Sequence, residues 1–445
     1  MLEFFFKRIH KHSGFKRYFK NTTWLLGGQI FRMGLGLFVS VAVARHLGPG
    51  DFGLYNYVLS IVLLVGVVGQ LGLQQLAKRE LVESPERHDE IMGTCFVLNL
   101  LAGVTIYAVM LIFVATQTDR SLVLGLFALL GSSLLLSPLS CIELWFQSQL
   151  RSDLSVLATS ISLALFAGLK VHAIIKGAGL ITFGYLFIFE AIVLCLLQVY
   201  FYRKHFGSIF QWQIRWPTAL SFLHKSWPLI LSGLAVTVYM RIDQIMLGAM
   251  LNEKIVGEYS VAVRISALWY FIPSMLATSL FPAILNARKH SVALYEKRLQ
   301  AYFDLNAGLA YVICLPLSLA APWVVAILFG AEYAAAAPIL AIHTWSSLFV
   351  FLGVARGQYL VAEQMFKFSM YCTVTGAFVN IFLNYYLIPI FGGPGAAIAT
   401  LSSQILSAFI SSFAWKGTRN AGLMQLASAF LFFRLRSIYH SSSKS

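Results

Sequence analysis

The sequence predicts an all-α membrane protein with about twelve transmembrane helices. Of its 445 residues, 58% are hydrophobic and only 11% are charged, whereas a soluble domain carries about a quarter charged residues. The apolar residues form long runs, and a helix needs about 20 of them to cross a hydrocarbon layer about 30 Å thick. These runs are longer than the roughly ten-residue strands of a transmembrane barrel, so helices must satisfy the peptide groups.

Twelve such segments follow one another, separated by short connections rich in Gly, Pro and charge. They cover residues 22–44, 54–76, 91–115, 121–145, 155–175, 180–202, 226–250, 259–285, 303–329, 336–361, 367–390 and 395–415. We therefore expect two six-helix bundles, over residues 21–204 and 226–416, joined by a cytoplasmic linker over residues 205–225. The basic ends, residues 1–20 and 417–445, include amphipathic stretches that favour interfacial helices.

The basic residues lie mainly on one side of the predicted spans. The net charge is +15, and with the N-terminus inside, 24 of the 33 Lys and Arg residues fall in cytoplasmic segments. This is the positive-inside pattern, so both termini are predicted to be cytoplasmic. The basic surplus therefore indicates topology and contact with anionic lipid rather than a nucleic-acid partner. The five cysteines are widely spaced within spans, which predicts packing roles rather than a metal site.

A weak internal repeat relates the two halves. Leu47, Gly53 and Tyr55, after the first span, correspond to Leu251, Gly257 and Tyr259, after the seventh, at a constant offset of 204 residues. With the six-plus-six division, this offset favours a parallel repeat about an axis along the membrane normal. Such an architecture is typical of transporters in which two bundles rock about a central cavity.

Several motifs resemble one family. The first motif is the run Asn21-Thr22-Thr23-Trp24-Leu25-Leu26-Gly27-Gly28-Gln29, followed by Val43-Ala44-Arg45-His46-Leu47-Gly48-Pro49-Gly50-Asp51-Phe52-Gly53-Leu54-Tyr55. Later segments of the same pattern are Asp243-Gln244-Ile245-Met246-Leu247-Gly248, Gly257-Glu258-Tyr259 and Gly395-Ala396-Ala397-Ile398-Ala399-Thr400. Together they are similar to Wzx-type polysaccharide flippases of the multidrug, oligosaccharidyl-lipid and polysaccharide exporter superfamily.

The resemblance implies a fold and a transport function but no catalytic residue. It implies a multi-pass protein of the bacterial inner membrane whose cargo is an oligosaccharide linked to undecaprenyl pyrophosphate. Alternating access would move this cargo from the inner to the outer leaflet for O-antigen, capsule or exopolysaccharide synthesis. Partners implied beside the lipid-linked cargo and membrane lipids are a polysaccharide polymerase and a chain-length regulator.

Four arginines lie within predicted spans, where a charge costs several kcal/mol or more unless it faces protein or water. They are Arg32, Arg241, Arg264 and Arg356. An arginine stays charged when desolvated and binds phosphate oxygens in pairs. We therefore expect these residues to line a cavity for the carrier pyrophosphate, although each could instead pair with a carboxylate or carbonyl, and Arg356 could snorkel.

Two carboxylates, Asp243 and Glu190, also lie within predicted spans. Asp243 and Arg264 both lie about 9 to 12 Å below the outer surface at about 1.5 Å per residue, so an ion pair between them is geometrically possible. Glu190 lies deepest in a span, so it is the candidate for proton or sodium coupling. The alternative is a structural role in which Glu190 is hydrogen-bonded or paired. No other cofactor and no metal site is expected. His343 is predicted to be structural.

Three other functions remain open at this point. A drug and cation antiporter of the same fold would need acidic groups, but the first three spans contain none and do contain Arg32. A lipid II flippase of the same superfamily would by resemblance have two more spans. A membrane glycan polymerase or ligase needs long outer loops, and every predicted outer loop has about ten residues or fewer. We therefore expect a transporter and not an enzyme.

Overall fold

The protein is helical throughout the part of the chain that the structure describes. The computed structural model describes the backbone of residues 13–430 and the side chains of residues 23–430, and this part contains no strand. The α-helices are α1 Ser13–Gly69, α2 Leu73–Glu83, α3 His88–Gln117, α4 Ser121–Gly131, α5 Ser133–Leu136, α6 Cys141–Ser148, α7 Ser152–Ile175, α8 Leu180–His205, α9 Trp216–Met250, α10 Glu253–Ser266, α11 Phe271–Arg288, α12 Val292–Leu319, α13 Ala321–Phe329, α14 Ala336–His343, α15 Ser346–Ala362, α16 Phe366–Phe391, α17 Gly393–Gln404 and α18 Arg419–Ala429. A π-turn, Ile405–Phe409, and a 3-10 turn, Ile410–Phe413, extend α17.

Eleven helical stretches within residues 23–430 are long and apolar enough to cross a membrane. The first of them, Thr23–Gly69, has 47 residues and would be about 70 Å long at about 1.5 Å per residue, which is enough for two spans. It therefore accounts for the first two of the twelve predicted segments. The prediction of a polytopic all-α membrane protein is confirmed.

Helix α1 changes direction at Gly48. This residue has φ 70° and ψ 172°, a conformation that is not helical, and Pro49 follows it. Only glycine adopts such a φ readily, and proline disfavours a helical residue before it. The break lies between the predicted spans 22–44 and 54–76. The second of these ends earlier than predicted, at Gly69, because Leu71 and Gly72 both adopt positive φ.

The chain forms two compact units whose boundaries differ from those predicted. Within residues 13–430, the first unit comprises residues 13–47 and 58–237, and the second comprises residues 48–57 and 238–430. The segment Gly48–Tyr57 therefore belongs to the C-terminal unit, where Phe52 is 2% exposed and its ring lies edge-on to Tyr333 at a centroid distance of 6.4 Å. The division between the two units falls within α9, after residue 237, and the bundle boundaries at residues 204 and 226 stay a prediction.

The predicted linker, residues 205–225, packs on the first unit. The Gln213 amide donates to the carbonyl of Asp89 at 3.1 Å, and the Arg215 amide donates to Thr94 Oγ1 at 3.3 Å. From Trp216 onward the linker is already helical and continues into α9. A Cβ atom at Gly93 would overlap the Gln213 backbone, so glycine permits this close contact.

Each unit has its own apolar core. In the N-terminal unit, Phe146 and Tyr202 are buried among side chains from α2, α3, α6 and α8. In the C-terminal unit, Phe303 and Phe351 are buried between α12 and α15. Close packing of such large side chains fixes the helices that carry the polar residues described below.

The two basic ends, residues 1–20 and 417–445, are predicted to include interfacial helices, and the structure describes only part of each. Residues 2–12 lie outside the described residues, and from Ser13 the chain already belongs to α1. In the predicted tail, residues 417–445, α18 packs on the C-terminal unit: Gln425 and Ser428 are completely buried, and Ser428 donates to Asp304 Oδ1 at 2.6 Å. The helix at residues 419–429 is thus part of the fold. Residues 431–445 lie outside the described residues.

Candidate functional site

A buried carboxylate, Asp243 on α9, forms the centre of a polar cluster in the C-terminal unit. Asp243 is 4% exposed. Its oxygens accept hydrogen bonds from Tyr259 Oη, Thr400 Oγ1 and Asn384 Nδ2, each at 2.5 Å. These three donors lie on α10, α16 and α17 and are uncharged, and the ion pair of Asp243 with Arg264 stays a prediction. Hydrogen bonds thus satisfy the buried carboxylate within the part of the chain that the structure describes.

Two asparagines extend the cluster around Asp243. Asn380 and Asn384 are four residues apart on α16, so they lie on one face of the helix. Both are completely buried, and Asn384 Nδ2 also donates to Asn380 Oδ1 at 3.2 Å. Asn384 Oδ1 is buried and has no hydrogen-bond donor among the described residues. The cluster therefore combines a carboxylate with amide and hydroxyl oxygens, which are the ligands that hard cations prefer.

His343 packs beside this cluster. Its ring is perpendicular to that of Tyr259, at a centroid distance of 6.0 Å, and its Nδ1 lies 2.8 Å from Ser266 Oγ. The residue is 4% exposed. These contacts agree with the structural role expected for His343. Among the residues that the structure describes, no three His, Cys, Asp or Glu side chains form a metal site.

Two of the predicted arginines lie near each other in the C-terminal unit. Arg241 on α9 is half-buried and forms no hydrogen bond or ion pair within residues 23–430. It lies within electrostatic range of Arg264 on α10, whose guanidinium lies over the Phe52 ring at 5.8 Å. Two like charges held close together, one of them without a counter-charge, favour binding of an anion.

Arg32 belongs to the N-terminal unit. It is half-buried on α1, and its Nη2 donates to Gln29 Oε1 at 2.8 Å. No carboxylate pairs with it within the described side chains. Its charge therefore remains available, and its role toward the cargo stays a prediction.

Arg356 is buried among hydrogen-bond acceptors in the C-terminal unit. It is 6% exposed, and its guanidinium donates to Ser411 Oγ at 2.6 Å, Ser412 Oγ at 3.1 Å and the Ser407 carbonyl at 2.8 Å. These acceptors lie in the π- and 3-10 turns after α17, where the irregular backbone leaves carbonyl and hydroxyl groups for the arginine. Arg356 thus ties α15 to this segment, and neither the predicted cargo contact nor snorkelling fits its burial.

Glu190 has a basic partner. Its Oε2 lies 2.6 Å from Lys170 Nζ, linking α8 to α7. Both side chains are largely buried, and the pair neutralises two charges within the spans. This contact supports the structural alternative for Glu190, and a coupling role for it stays a prediction.

Comparison with known proteins identifies the family. Residues 18–288 match the polysaccharide biosynthesis protein family, so the chain belongs to that family. It is 25% identical over 411 residues to "Probable flippase AglR" of Haloferax volcanii, covering 86% of this chain and 80% of that protein. It is 22% identical over 402 residues to "Probable low-salt glycan biosynthesis flippase Agl15" of the same organism, covering 86% and 82%.

Solved structures share the fold. A lipid II flippase MurJ in an inward closed conformation aligns over 94% of this chain and 93% of its own, with a TM-score of 0.69 and 16% identity. An inward-facing multidrug resistance MATE family transporter of the MOP superfamily aligns over 88% and 95%, with a TM-score of 0.71 and 16% identity. These similarities confirm the predicted exporter fold, and the low identity restricts them to the fold.

Proposed function

We propose that the protein is a flippase for oligosaccharides linked to a polyprenyl pyrophosphate, with undecaprenyl pyrophosphate as the carrier. The observation that carries this proposal is Arg241, a half-buried arginine without a counter-charge beside a second arginine, Arg264, in a chain of the polysaccharide biosynthesis family. A pyrophosphate supplies the missing negative charge and accepts paired hydrogen bonds from guanidinium groups. Arg32 in the N-terminal unit is proposed as a further contact.

We infer that a monovalent cation, Na⁺ or H⁺, drives the transport by binding at Asp243. The carboxylate, the unpaired Asn384 Oδ1 and the hydroxyl of Thr400 provide oxygen ligands. The present donors to Asp243 are neutral, so an added positive charge would meet no repulsion within the cluster. Exchange of these hydrogen bonds for cation ligands would change how α9, α16 and α17 are held together, which couples ion binding to conformation.

The orientation follows from charge. Basic residues concentrate in the connections assigned to the cytoplasm, which supports cytoplasmic termini and a bacterial inner membrane location. In this orientation the carrier enters from the cytoplasmic leaflet, and the glycan leaves outside for assembly into O-antigen, capsule or exopolysaccharide. A polymerase and a chain-length regulator are the partners proposed to receive it. The proposed activity is transport without covalent chemistry.

Deletion of the gene tests the proposal. In the deletion strain, surface polysaccharide should disappear while lipid-linked repeat units accumulate on the cytoplasmic leaflet. Normal delivery of repeat units together with new sensitivity to cationic drugs would contradict the proposal and favour a drug antiporter. A multidrug resistance MATE family transporter shares this fold. Restoration by a plasmid copy is the control for effects on neighbouring genes.

A further inference from the structure

A groove lined by carboxamides lies in the N-terminal unit. It has a volume of about 370 Å³ and lies between the turn that joins α1 to α2 and the middle of α9. Its polar side chains are Gln70, Gln74, Gln75, Ser232 and Thr237. We call this the amide groove. Its volume is within the roughly 300 to 1,000 Å³ typical of small-molecule sites.

The backbone of the turn creates the groove. Leu71 and Gly72 both have positive φ, 50° and 62°, so α1 ends and α2 starts in a new direction. A Cβ atom at Gly72 would lie 2.9 Å from the amide nitrogen of Ile230, and one at Gly233 would lie 3.3 Å from Val67 Cγ1. Glycine at both positions lets α9 approach the turn closely, which fixes the spacing of the polar side chains.

Most hydrogen-bonding groups of the amide groove remain available. Gln74 Nε2 donates to Gln70 Oε1 at 3.1 Å. The side chains of Gln75, Ser232 and Thr237 have no hydrogen-bond partner within residues 23–430. Each carboxamide offers two donor hydrogens and a carbonyl acceptor, and each hydroxyl is both donor and acceptor. A ligand that matches this set must itself present many groups that both donate and accept.

The lining also excludes other ligands. It contains no charged side chain, so it offers no compensation for desolvating a phosphate or a carboxylate. An acyl or prenyl chain would leave the amides and hydroxyls unpaired, at a cost for each group. A polyhydroxylated, uncharged sugar satisfies both conditions. The apolar side chains Leu229 and Val236 in the same lining can pack against the C–H faces of such a sugar.

We propose that the amide groove is a subsite for a neutral sugar of the lipid-linked glycan. This inference rests on the proposed flippase function and adds selectivity for uncharged residues of the cargo. The groove adjoins α2, which carries Lys78 and Arg79, and the start of α9, where Lys225 lies 3.8 Å from Glu80. Under the positive-inside rule this is the cytoplasmic side, where the glycan is loaded.

Transport into proteoliposomes tests the subsite with three cargoes. The cargoes are undecaprenyl pyrophosphate alone, the same carrier with a neutral N-acetylhexosamine disaccharide, and the carrier with a uronic acid as the second sugar. The wild-type protein should move the neutral glycan fastest. Gln74→Leu and Thr237→Val should each lower the rate for the neutral glycan by about threefold to tenfold, as loss of one hydrogen bond predicts, and leave the bare carrier unchanged.

A gain of function and a matched control complete the test. Gln75 is exposed, so Gln75→Lys should fold and should raise the rate for the acidic glycan relative to the neutral one. The matched control is Gln117→Leu, which removes an exposed carboxamide at the end of α3. This variant should leave the ratios between the transport rates of the three cargoes unchanged. The subsite would be overturned if the ratios between the transport rates of the three cargoes were unchanged in Gln74→Leu, Thr237→Val and Gln75→Lys. It would also be overturned if each variant lowered the rates of all cargoes equally. Failure of the wild-type protein on every cargo would instead reject the proposed function and the subsite with it.

Discussion

Gly53 and Gly257 pack backbone against backbone in the C-terminal unit. A Cβ atom at Gly53 would overlap the carbonyl of Glu253 and the amide of Gly257, and one at Gly257 would overlap the carbonyl of Pro49. These glycines are equivalent positions of the internal repeat, 204 residues apart. Each copy of the repeated motif therefore uses its glycine to contact the other copy. Close approach of helices through small residues is a general device of membrane proteins.

Replacement of Gly53 by alanine should destabilise the fold. The added methyl group meets backbone atoms, which cannot move aside as a flexible side chain can, and overpacking typically costs about 1 to 3 kcal/mol. We expect a lower melting temperature for Gly53→Ala in detergent. The matched control is Gly50→Ala in the same helix, where a Cβ atom meets nothing within 4 Å. Equal melting temperatures for the two variants would show that the contact is looser than described.

Asp243→Asn should abolish cation dependence without unfolding the protein. Asparagine keeps the size of the side chain and can still accept from Tyr259 and Thr400, but it removes the charge that would bind Na⁺ or H⁺. We expect translocation to lose its response to an imposed Na⁺ or pH gradient. Asp153→Asn is the control, because Asp153 pairs at 3.0 Å with Arg151 and is partly exposed. Retained gradient dependence in Asp243→Asn would exclude this carboxylate as the coupling site.

Glu190→Gln gives the complementary result in the same assay. The ion pair with Lys170 predicts that Glu190 holds α7 and α8 together, so its loss should lower thermal stability while gradient dependence persists. A double exchange, Lys170→Glu with Glu190→Lys, should recover part of the lost stability. If Glu190→Gln removed gradient dependence at unchanged stability, the coupling role predicted from its depth would be correct.

Arg241→Ala should impair binding of the pyrophosphate carrier, and Arg241→Lys should recover part of the affinity. Lysine restores the charge but not the paired hydrogen bonds of a guanidinium. We expect the affinity for inorganic pyrophosphate or the bare carrier to fall at least tenfold in the alanine variant, as loss of a charged hydrogen bond of about 1.5 to 3 kcal/mol predicts. Arg419→Ala, an exposed arginine, is the control. Unchanged affinity in Arg241→Ala would contradict the anion site.

Arg356→Met should act on stability and not on cargo binding. The variant loses three hydrogen bonds and leaves Ser411, Ser412 and the Ser407 carbonyl without this donor. Bonds to charged groups contribute about 1.5 to 3 kcal/mol each, partly offset by the lower desolvation of methionine. A clear drop in melting temperature with unchanged carrier affinity is expected. If Arg356→Met lost affinity for the carrier at wild-type stability, Arg356 would contact the cargo as the sequence predicted.

The fold could be predicted from the sequence because hydrophobic run length and charge asymmetry are local properties. The position of Gly48-Pro49 predicted the break in α1 for the same reason, since backbone preference is set by the residue and its neighbour. The unit boundaries could not be predicted in this way. Attachment of residues 48–57 to the C-terminal unit depends on contacts such as that of Gly53 with Glu253, which join positions about 200 residues apart.

The surroundings of the buried carboxylate of Asp243 also depend on contacts between positions that are far apart in the sequence. Rise per residue placed Asp243 and Arg264 at similar depth, but depth does not determine which way each side chain points. The signal that was available lay in Asn380 and Asn384, two amides four residues apart in the largely apolar second half of α16. Polar residues on one face of a spanning helix require a polar partner. Tyr259 and Thr400 occur within the family motifs, yet nothing in their spacing pairs them with Asp243.

Translocation by the purified protein is the most direct test of the proposed flippase. Proteoliposomes would receive undecaprenyl pyrophosphate bearing a fluorescent disaccharide in one leaflet, and a membrane-impermeant quencher would report the fraction that reaches the other. We predict gradient-dependent transfer by the wild-type protein and little transfer by Arg241→Ala or Asp243→Asn. Transfer at the same rate in liposomes without protein, or in both variants, would contradict the proposed function.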